Sequence, residues 1–557
     1  MLSPVRRPRG EALPNRSPLN VRPHHLGAAL LIAFGGPLAA QPLSPAALDR
    51  LDPGVVLNEQ LRRLGNAAPR PRVDTAPEEP RVTGTPAPEI RTTVRFESIE
   101  FSRSTLLPDQ DLRDLASNYV GRPLTTDDLQ RLIDGIAALY EARGVITAAA
   151  VLPQQDLGSG RLRVLLVEGR LGQVRLKGDD GVDPDWVRAW FDLPAGEVVQ
   201  ADTVRQRLVL FNSASDRSAA ASFQAGDTFG VTDLLLDLAT APRWQGWSFV
   251  ESTLGEDSSG LQSAIGLRWS PVGSRGGRLE TALLSSAAGK TISLGASMPM
   301  GQDGWRTGLN LAGSRSTTVL IGQGGVPLQL DGESRSWAVE VSRTTVLGGP
   351  WLGVFNGQLG RVRSTTAIGT LRVFDREVER AQIGASLSRD TAEARSTLRS
   401  SLVHARSGNE ATRYLDLGFS HLHSWGESRR WSWRINGVVR GADSGTPLAS
   451  ESLLLGGAET VRGYDPGSSS GESGHAVQLE LRYRALASAS AGAEVYAFWD
   501  QGRARHQGST AVALDSVGLG LQARLNAQLG FDLTASRQRL QRSGSTHRIT
   551  LRVLASF

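Results

Sequence analysis

The chain has 557 residues, with 61 Lys+Arg against 56 Asp+Glu and no cysteine. A formal charge of +5 is small for this length, so the surface is mixed and carries no nucleic-acid footprint, and without Cys neither a disulfide framework nor a thiolate metal site exists. No stretch after residue 40 has the roughly eighteen uncharged apolar residues of a membrane helix, so a membrane protein with this profile has to cross as a β-barrel.

The start is basic, with Arg6, Arg7, Arg9, Arg16 and Arg22 ahead of the apolar run from Leu26 to Phe34. Small residues follow up to Ala40, so 1–40 reads as a secretory signal peptide. Residues 41–66 follow as an N-terminal unit, helical from about residue 44. Asp52-Pro53 supplies an N-cap and a first-turn proline there, and Leu57, Leu61 and Leu64 form a partial apolar stripe. A helix this short is marginal alone and needs a partner surface. Residues 67–92, rich in Pro, Ala, Thr and charge, form an extended linker.

Residues 93–170 read as a compact α+β unit. A strand with Val94, Phe96, Ile99 and Phe101, irregular near Glu97-Ser98, precedes a short helix around 109–119. A clearer helix is capped by Thr125 with Asp128 three residues on, and ends at Gly144 in the C′ position. Two strands follow, Val145–Leu152 and one through Leu162, Val164 and Leu166. Residues 171–241 repeat the order: a strand at Val174 and Leu176, helices at 184–190 and 202–211, strands at 219–223 and 231–238. This is an internal repeat. Each unit resembles a POTRA domain, in the phrases Leu152–Leu157, Val167–Arg170 and Ala225–Leu234.

From residue 242 to 557 helical spacing stops and two-residue alternation takes over. Val477, Leu479, Leu481 and Tyr483 alternate with polar residues, as do Val517, Leu519 and Leu521, and Ile549, Leu551 and Val553. A soluble sandwich also alternates, but it hides its apolar face against a second sheet; in a barrel the apolar face meets lipid and the polar face a wet lumen. About sixteen antiparallel strands of roughly ten residues fit. They start near 244, 262, 275, 291, 304, 335, 350, 376, 396, 411, 429, 475, 491, 512, 527 and 546. Trp244, Trp247, Trp351, Trp431 and Trp433 suit an interfacial aromatic girdle. The expected fold is two α+β modules followed by an all-β transmembrane barrel.

One long polar segment, 451–474, interrupts the alternation and carries Val461, Arg462, Gly463 and Tyr464. Downstream, Phe498, Asp500 and Gly502 form the pattern F-x-D-x-G. In Glu494–Asp500, Val495, Ala497 and Trp499 fit the lipid side, while Tyr496, Phe498 and Asp500 face the lumen. The two motifs, in this order and on this background, resemble the outer-membrane transporters of two-partner secretion. These are the TpsB type (ShlB/FhaC/HecB-like), relatives of the BamA barrel-assembly proteins. A terminal Phe557 resembles the recognition signal of such barrels.

The resemblance implies that 451–474 folds back into the barrel, that Arg462 binds Asp500 bidentately, and that the 41–66 helix plugs the lumen. It also implies export of one large TpsA-like exoprotein from the periplasm through the barrel, with outer-membrane lipid around it and no nucleotide, nucleic acid or cofactor. An exposed strand edge on the modules could take an extended polypeptide; otherwise the modules are rigid spacers. A barrel-assembly insertase is the alternative, although only two modules fit; a passive porin would need no modules. Enzyme signals fail. Gly467–Gly471 matches G-x-S-x-G without a strand-to-helix turn, His421 and His423 lack further ligands, and Gly289-Lys290-Thr291 lacks the upstream glycine of a phosphate loop.

Overall fold

The structure is a computed structural model, and describes residues 49, 52–67, 93–178, 181–239, 243–255, 260–287, 289–321, 327–443, 445, 448–488, 490–540 and 547–557. The expected signal peptide and nearly all of the linker lie outside the described residues, as do 44–48, 50 and 51 of the expected first helix. The described helix, α1, runs Pro53–Ala67. Asp52 accepts from the Gly54 N–H at 2.8 Å, as an N-cap residue does.

The first module contains β1 Val94–Arg95, β2 Ser98–Phe101, α2 Asp109–Ser117, β3 Pro123–Leu124, α3 Thr126–Glu141, β4 Ala148–Val151 and β5 Arg161–Glu168. The strand expected across Val94–Phe101 is therefore two strands. β1 pairs with β3, whereas β2 runs parallel to β5 in another sheet. The break falls where Phe96 turns fully into the core and the Glu97 N–H donates to the Gly160 carbonyl. Thr125 and Asp128 form a reciprocal capping box. The left-handed glycine, Gly144 at φ +77°, comes one residue beyond the expected C′ position, since Ala142 is the C-cap.

The second module contains β6 Arg170–Lys177, α4 Pro184–Trp190, α5 Ala201–Ala214, β7 Ala219–Ala225 and β8 Val231–Leu238. Its sheet order, β6-β8-β7, copies the β2-β5-β4 order of the first. In both, the first strand is parallel to the third and the second antiparallel to it. Aromatic side chains fill the second core: Trp190 and Phe211 meet edge-on at 5.6 Å.

Sixteen antiparallel strands then close into a barrel. They are β9 Trp244–Gly255, β10 Gly260–Trp269, β11 Arg278–Ser286, β12 Gly289–Met300, β13 Trp305–Ile321, β14 Pro327–Gly348, β15 Trp351–Ile368 and β16 Leu371–Asp390, then β17 Ala394–Ser407, β18 Glu410–Trp425, β19 Trp431–Ala442, β22 Ser473–Ala487, β23 Gly492–Arg505, β24 Val512–Arg524, β25 Leu529–Gln538 and β26 His547–Ser556. Two short strands, β20 Leu453–Leu455 and β21 Ser469–Gly471, pair inside the intervening loop. β26 pairs back onto β9, and Phe557 exchanges two backbone hydrogen bonds with Gly246.

Strand length departs from expectation: β14 has 22 residues and β16 has 20. Outward apolar residues end at Trp337 on β14, yet pairing continues through Arg335 and Glu333. Above the lipid belt water replaces lipid, so ladder hydrogen bonding extends without an apolar face to mark it. That explains why two starts, expected at 335 and 376, come earlier at 327 and 371.

The second module leans on one rim. The Asp183 N–H donates to the Ser274 carbonyl at 3.0 Å, Arg275 reaches Asp183 at 3.1 Å, and Arg306 pairs with Asp216. This rim is the module side. Exposed Trp244, Trp351, Trp431 and Trp433 stand there, with Trp269, Trp305 and Trp425. Trp247 does not belong with them. It is only 9% exposed and points inward, stacking on Phe249 beside Leu64 of α1. Residue parity decides this: Trp247 is three residues from Trp244, so the two lie on opposite faces of one strand.

Candidate functional site

The loop between β19 and β22 folds into the lumen. It enters through a turn at Ala449–Glu451, where Tyr414 donates to Glu451 at 2.6 Å and Arg380 lies 3.4 Å from the same carboxylate. β20 and β21 then hold the base of a tip formed by Val461–Tyr464. An apolar knot of Leu453, Leu455, Val461, Tyr464, Ala476, Ala504 and Leu514 seats the loop on the wall.

Arg462 is the tip's cation. Its backbone N–H and Nε donate to Asp500 Oδ2 at 3.0 and 2.7 Å, and its Nη2 donates to Oδ1 at 2.7 Å. Nη1 donates to Glu480 Oε1 at 2.8 Å. Asp500 is fully buried and Arg462 is 9% exposed. Fork geometry of this kind is the strong form of a charge-assisted bond. The guanidinium also lies 3.8 Å from the Phe498 ring centroid, which shields it from water.

Each remaining motif position has a steric or polar reason. Gly463 has φ +89°, a left-handed conformation that L side chains resist, and its carbonyl accepts from Gln538 at 2.7 Å. Tyr464 donates towards the Asp515 and Leu540 carbonyls at 3.0 and 2.9 Å, tying the tip to the far wall. Gly502 leaves space for the loop: a Cβ there would stand 2.9 Å from Val461 Cγ2 and 3.1 Å from Leu455 Cδ1. The expected parity holds, with Tyr496 and Phe498 buried inward and Val495 and Trp499 outward. The structure thus gathers Val461, Arg462, Gly463, Tyr464, Phe498, Asp500 and Gly502 at one place.

Sequence reasoning missed two members. Glu480 bridges Arg462 and Arg482, which donates to it at 2.6 Å. Arg482 also lies over the Tyr496 ring at 4.7 Å and pairs with Glu494 at 3.1 Å. The available signal was the inward pair Glu480 and Arg482 on β22, which alternation alone reads as lumen lining.

α1 occupies the lumen beside this loop. Pro53 and Gly54 pack against Gly332, Ser364 and Ser450, and a Cβ on Gly54 would fall 2.7 Å from Ser364 Oγ. Asn58 donates to the Ser450 carbonyl at 2.9 Å, Gln60 accepts from Thr291, Arg63 donates to Gln262, and Asn66 donates to Glu459 at 2.5 Å. Leu64 meets Trp247, Phe249, Ala264 and Leu284. Ahead of the helix, Asp49 lies 3.5 Å from His506, whose other ring nitrogen is 2.8 Å from Glu472 of the inward loop. Burial pushes the Asp52 carboxyl up to about 6 and raises Asp49 as well. Burial pulls His506 down, but the Glu472 hydrogen bond and the Asp49 charge outweigh it and leave the imidazole raised.

A closed barrel with an apolar outer face, two α+β modules at one mouth, and a lumen filled by the chain's own loop and helix defines an outer-membrane transporter with periplasmic POTRA modules. Comparison with known proteins narrows the class. The description "POTRA domain, ShlB-type" matches residues 94–169, and "Haemolysin secretion/activation protein ShlB/FhaC/HecB" matches residues 284–525. The heme/hemopexin transporter protein HuxB of Haemophilus influenzae is 22% identical over 444 residues, covering 74% of this chain and 77% of that protein. The outer membrane transporter CdiB of Dickeya dadantii is 24% identical over 454 residues, 77% of each. Among solved structures, CdiB from Escherichia coli aligns with a TM-score of 0.64 at 18% identity, covering 93% of this chain and all of that one. BamA from Haemophilus ducreyi, lacking POTRA domains 1–3, aligns at 0.55 and 12%, covering 84% of this chain and 100% of that one. The chain belongs to the two-partner secretion transporters of the TpsB type, shares its fold with BamA, and exports a secreted partner protein across the outer membrane.

Proposed function

We propose that Arg462 and Asp500 clamp the inward loop as a fixed wall element, that α1 is the displaceable plug, and that the partner is one large exoprotein threading the lumen unfolded. The observation that carries this reading is the buried set of four hydrogen bonds from Arg462. A desolvated pair of this kind costs about 3–5 kcal/mol to break by removing one partner, which holds a loop against a passing chain. α1 is held by scattered side-chain contacts instead, so it is the part that yields.

On this reading the units are a signal peptide at 1–40, a plug at 41–66, a linker at 67–92, modules at 93–170 and 171–241, and the barrel from 242. The linker lets the plug withdraw without moving the modules. The modules collect the partner in the periplasm, and lipid is the barrel's only other contact. No bond is made or broken, no nucleotide or nucleic acid is involved, and folding of the partner outside drives the transfer. Arg462→Ala is expected to insert in the outer membrane and fail to secrete. Outer-membrane fractionation with a secretion assay tests this; normal export of the partner overturns it.

A further inference from the structure

The lipid-facing surface of the module-side rim carries two cations that, among the described residues, have no carboxylate within ion-pair distance. Trp305 at the start of β13 pairs in register with Arg343 of β14, whose guanidinium lies 5.4 Å from the indole centroid. Trp351 at the start of β15 pairs with Arg389 of β16 at 5.6 Å. Both arginines are exposed and have outward parity: Arg343 follows Trp337, Val339 and Val341, and Arg389 follows Ile383.

The other rim of these hairpins is built differently. There the outward Arg335 pairs with Glu333 at 2.8 Å, Arg361 with Glu377 at 2.9 Å and Arg363 with Asp375 at 3.1 Å. Among the described residues, neither Arg343 nor Arg389 has a carboxylate within ion-pair distance. Their charge therefore has to be met from outside the protein, at the depth where aromatic side chains sit among lipid headgroups. The indole takes one face of each guanidinium and leaves edge N–H donors free, in the fork that matches a phosphate. The arc continues on β18, where His421 lies 4.7 Å from Trp433 and 2.8 Å from the Ser396 hydroxyl.

We infer that the module-side rim of β13–β16 binds the phosphodiester headgroups of anionic phospholipid in the periplasmic leaflet, with Arg343 and Arg389 as phosphate ligands and Trp305 and Trp351 as their platforms. The site would fix the depth of the barrel on the side where the modules receive the partner.

The full-length protein, reconstituted in nanodiscs of phosphatidylethanolamine with phosphatidylglycerol, cardiolipin and lipopolysaccharide, tests this by native mass spectrometry of retained lipids. Wild type should keep the anionic lipids preferentially. Arg343→Gln with Arg389→Gln should lower that preference roughly fivefold per arginine. Arg335→Gln with Arg363→Gln, at the other rim, should leave it intact. Heat-dependent gel mobility verifies that each barrel is folded. Trp305→Leu with Trp351→Leu keeps the charges and frees the planes; it should lose roughly threefold, and it decides the matter if the glutamine pair does not fold. Unchanged preference in the module-side variants, equal loss in the other-rim pair, or retention of lipopolysaccharide in place of phospholipid would each overturn the assignment.

Discussion

The inward loop and the plug helix share one lumen but are held by different physics. The loop is bound by desolvated ions and by an apolar knot, with Asp500 and Val461 fully buried. The helix is bound by scattered hydrogen bonds to the Ser286, Thr291 and Gln262 side chains, the Ser450 carbonyl and Glu459, by one leucine cluster at its end, and by titratable groups ahead of it. On the reading proposed above, one barrel holds a permanent insert and a releasable one. Burying a paired charge makes removal costly, whereas small hydroxyl residues give a close but undemanding fit.

The comparison breaks most sharply at the clamp. Asp500→Asn or Arg462→Ala should cost about 3–5 kcal/mol, read as a lower temperature for loss of heat-resistant gel mobility, together with lost secretion. The double variant should cost less than the two single costs added, because the stranded charge is gone; additive losses would mean that the pair does not act as a unit.

pH should act on the helix and spare the loop. Docked Asp52 has its pKa raised by burial to about 6 against an ordinary 3.8, so the docked state holds the proton more firmly. Its contribution is full below about pH 4 and is lost as pH rises through 6, up to about 3 kcal/mol. Asp49 and His506, both raised, act in the same direction, with Glu472 as their charged neighbour and Arg376 as that of Asp52. Single-channel conductance should therefore show more open time at pH 7.5 than at pH 5. Asp52→Asn should flatten the pH 4–6 part and keep the channel more closed at neutral pH.

A smaller effect tests the seat of the loop. Gly502→Val places side-chain atoms where Val461 and Leu455 already stand and should cost about 1–3 kcal/mol through overpacking. Protease sensitivity between residues 451 and 474 in an otherwise intact barrel would be the readout. The smallest change is expected from His506→Gln, about 1 kcal/mol or less, because the ring is partly exposed and Ser470 remains nearby. It should raise spontaneous channel opening slightly at pH 6 and leave heat resistance unchanged.

Much of this protein was legible along the chain. Alternation with period two marked the barrel strands, because lipid and water impose opposite demands on adjacent residues. The capping box at Thr125 and Asp128 is likewise a local pattern, set by two residues three apart, and the module order shows as a repeat of such local patterns. The inward motifs were readable as types: an arginine on a permissive glycine, and a carboxylate of lumen parity.

Tertiary structure alone decided the rest. It set which carboxylates receive Arg462, since Glu480 is 18 residues away along the chain but across a single strand register in space. It packed the inward Trp247 against Phe249 and Leu64 of α1, contacts that parity alone does not name, and it broke the strand at Phe96 between two sheets. It carried strand pairing beyond the lipid belt, where no hydrophobic signal exists. The physical reason is common to all four: side-chain periodicity reports which solvent a residue faces, whereas pairing, register and burial depend on what the distant chain brings opposite it.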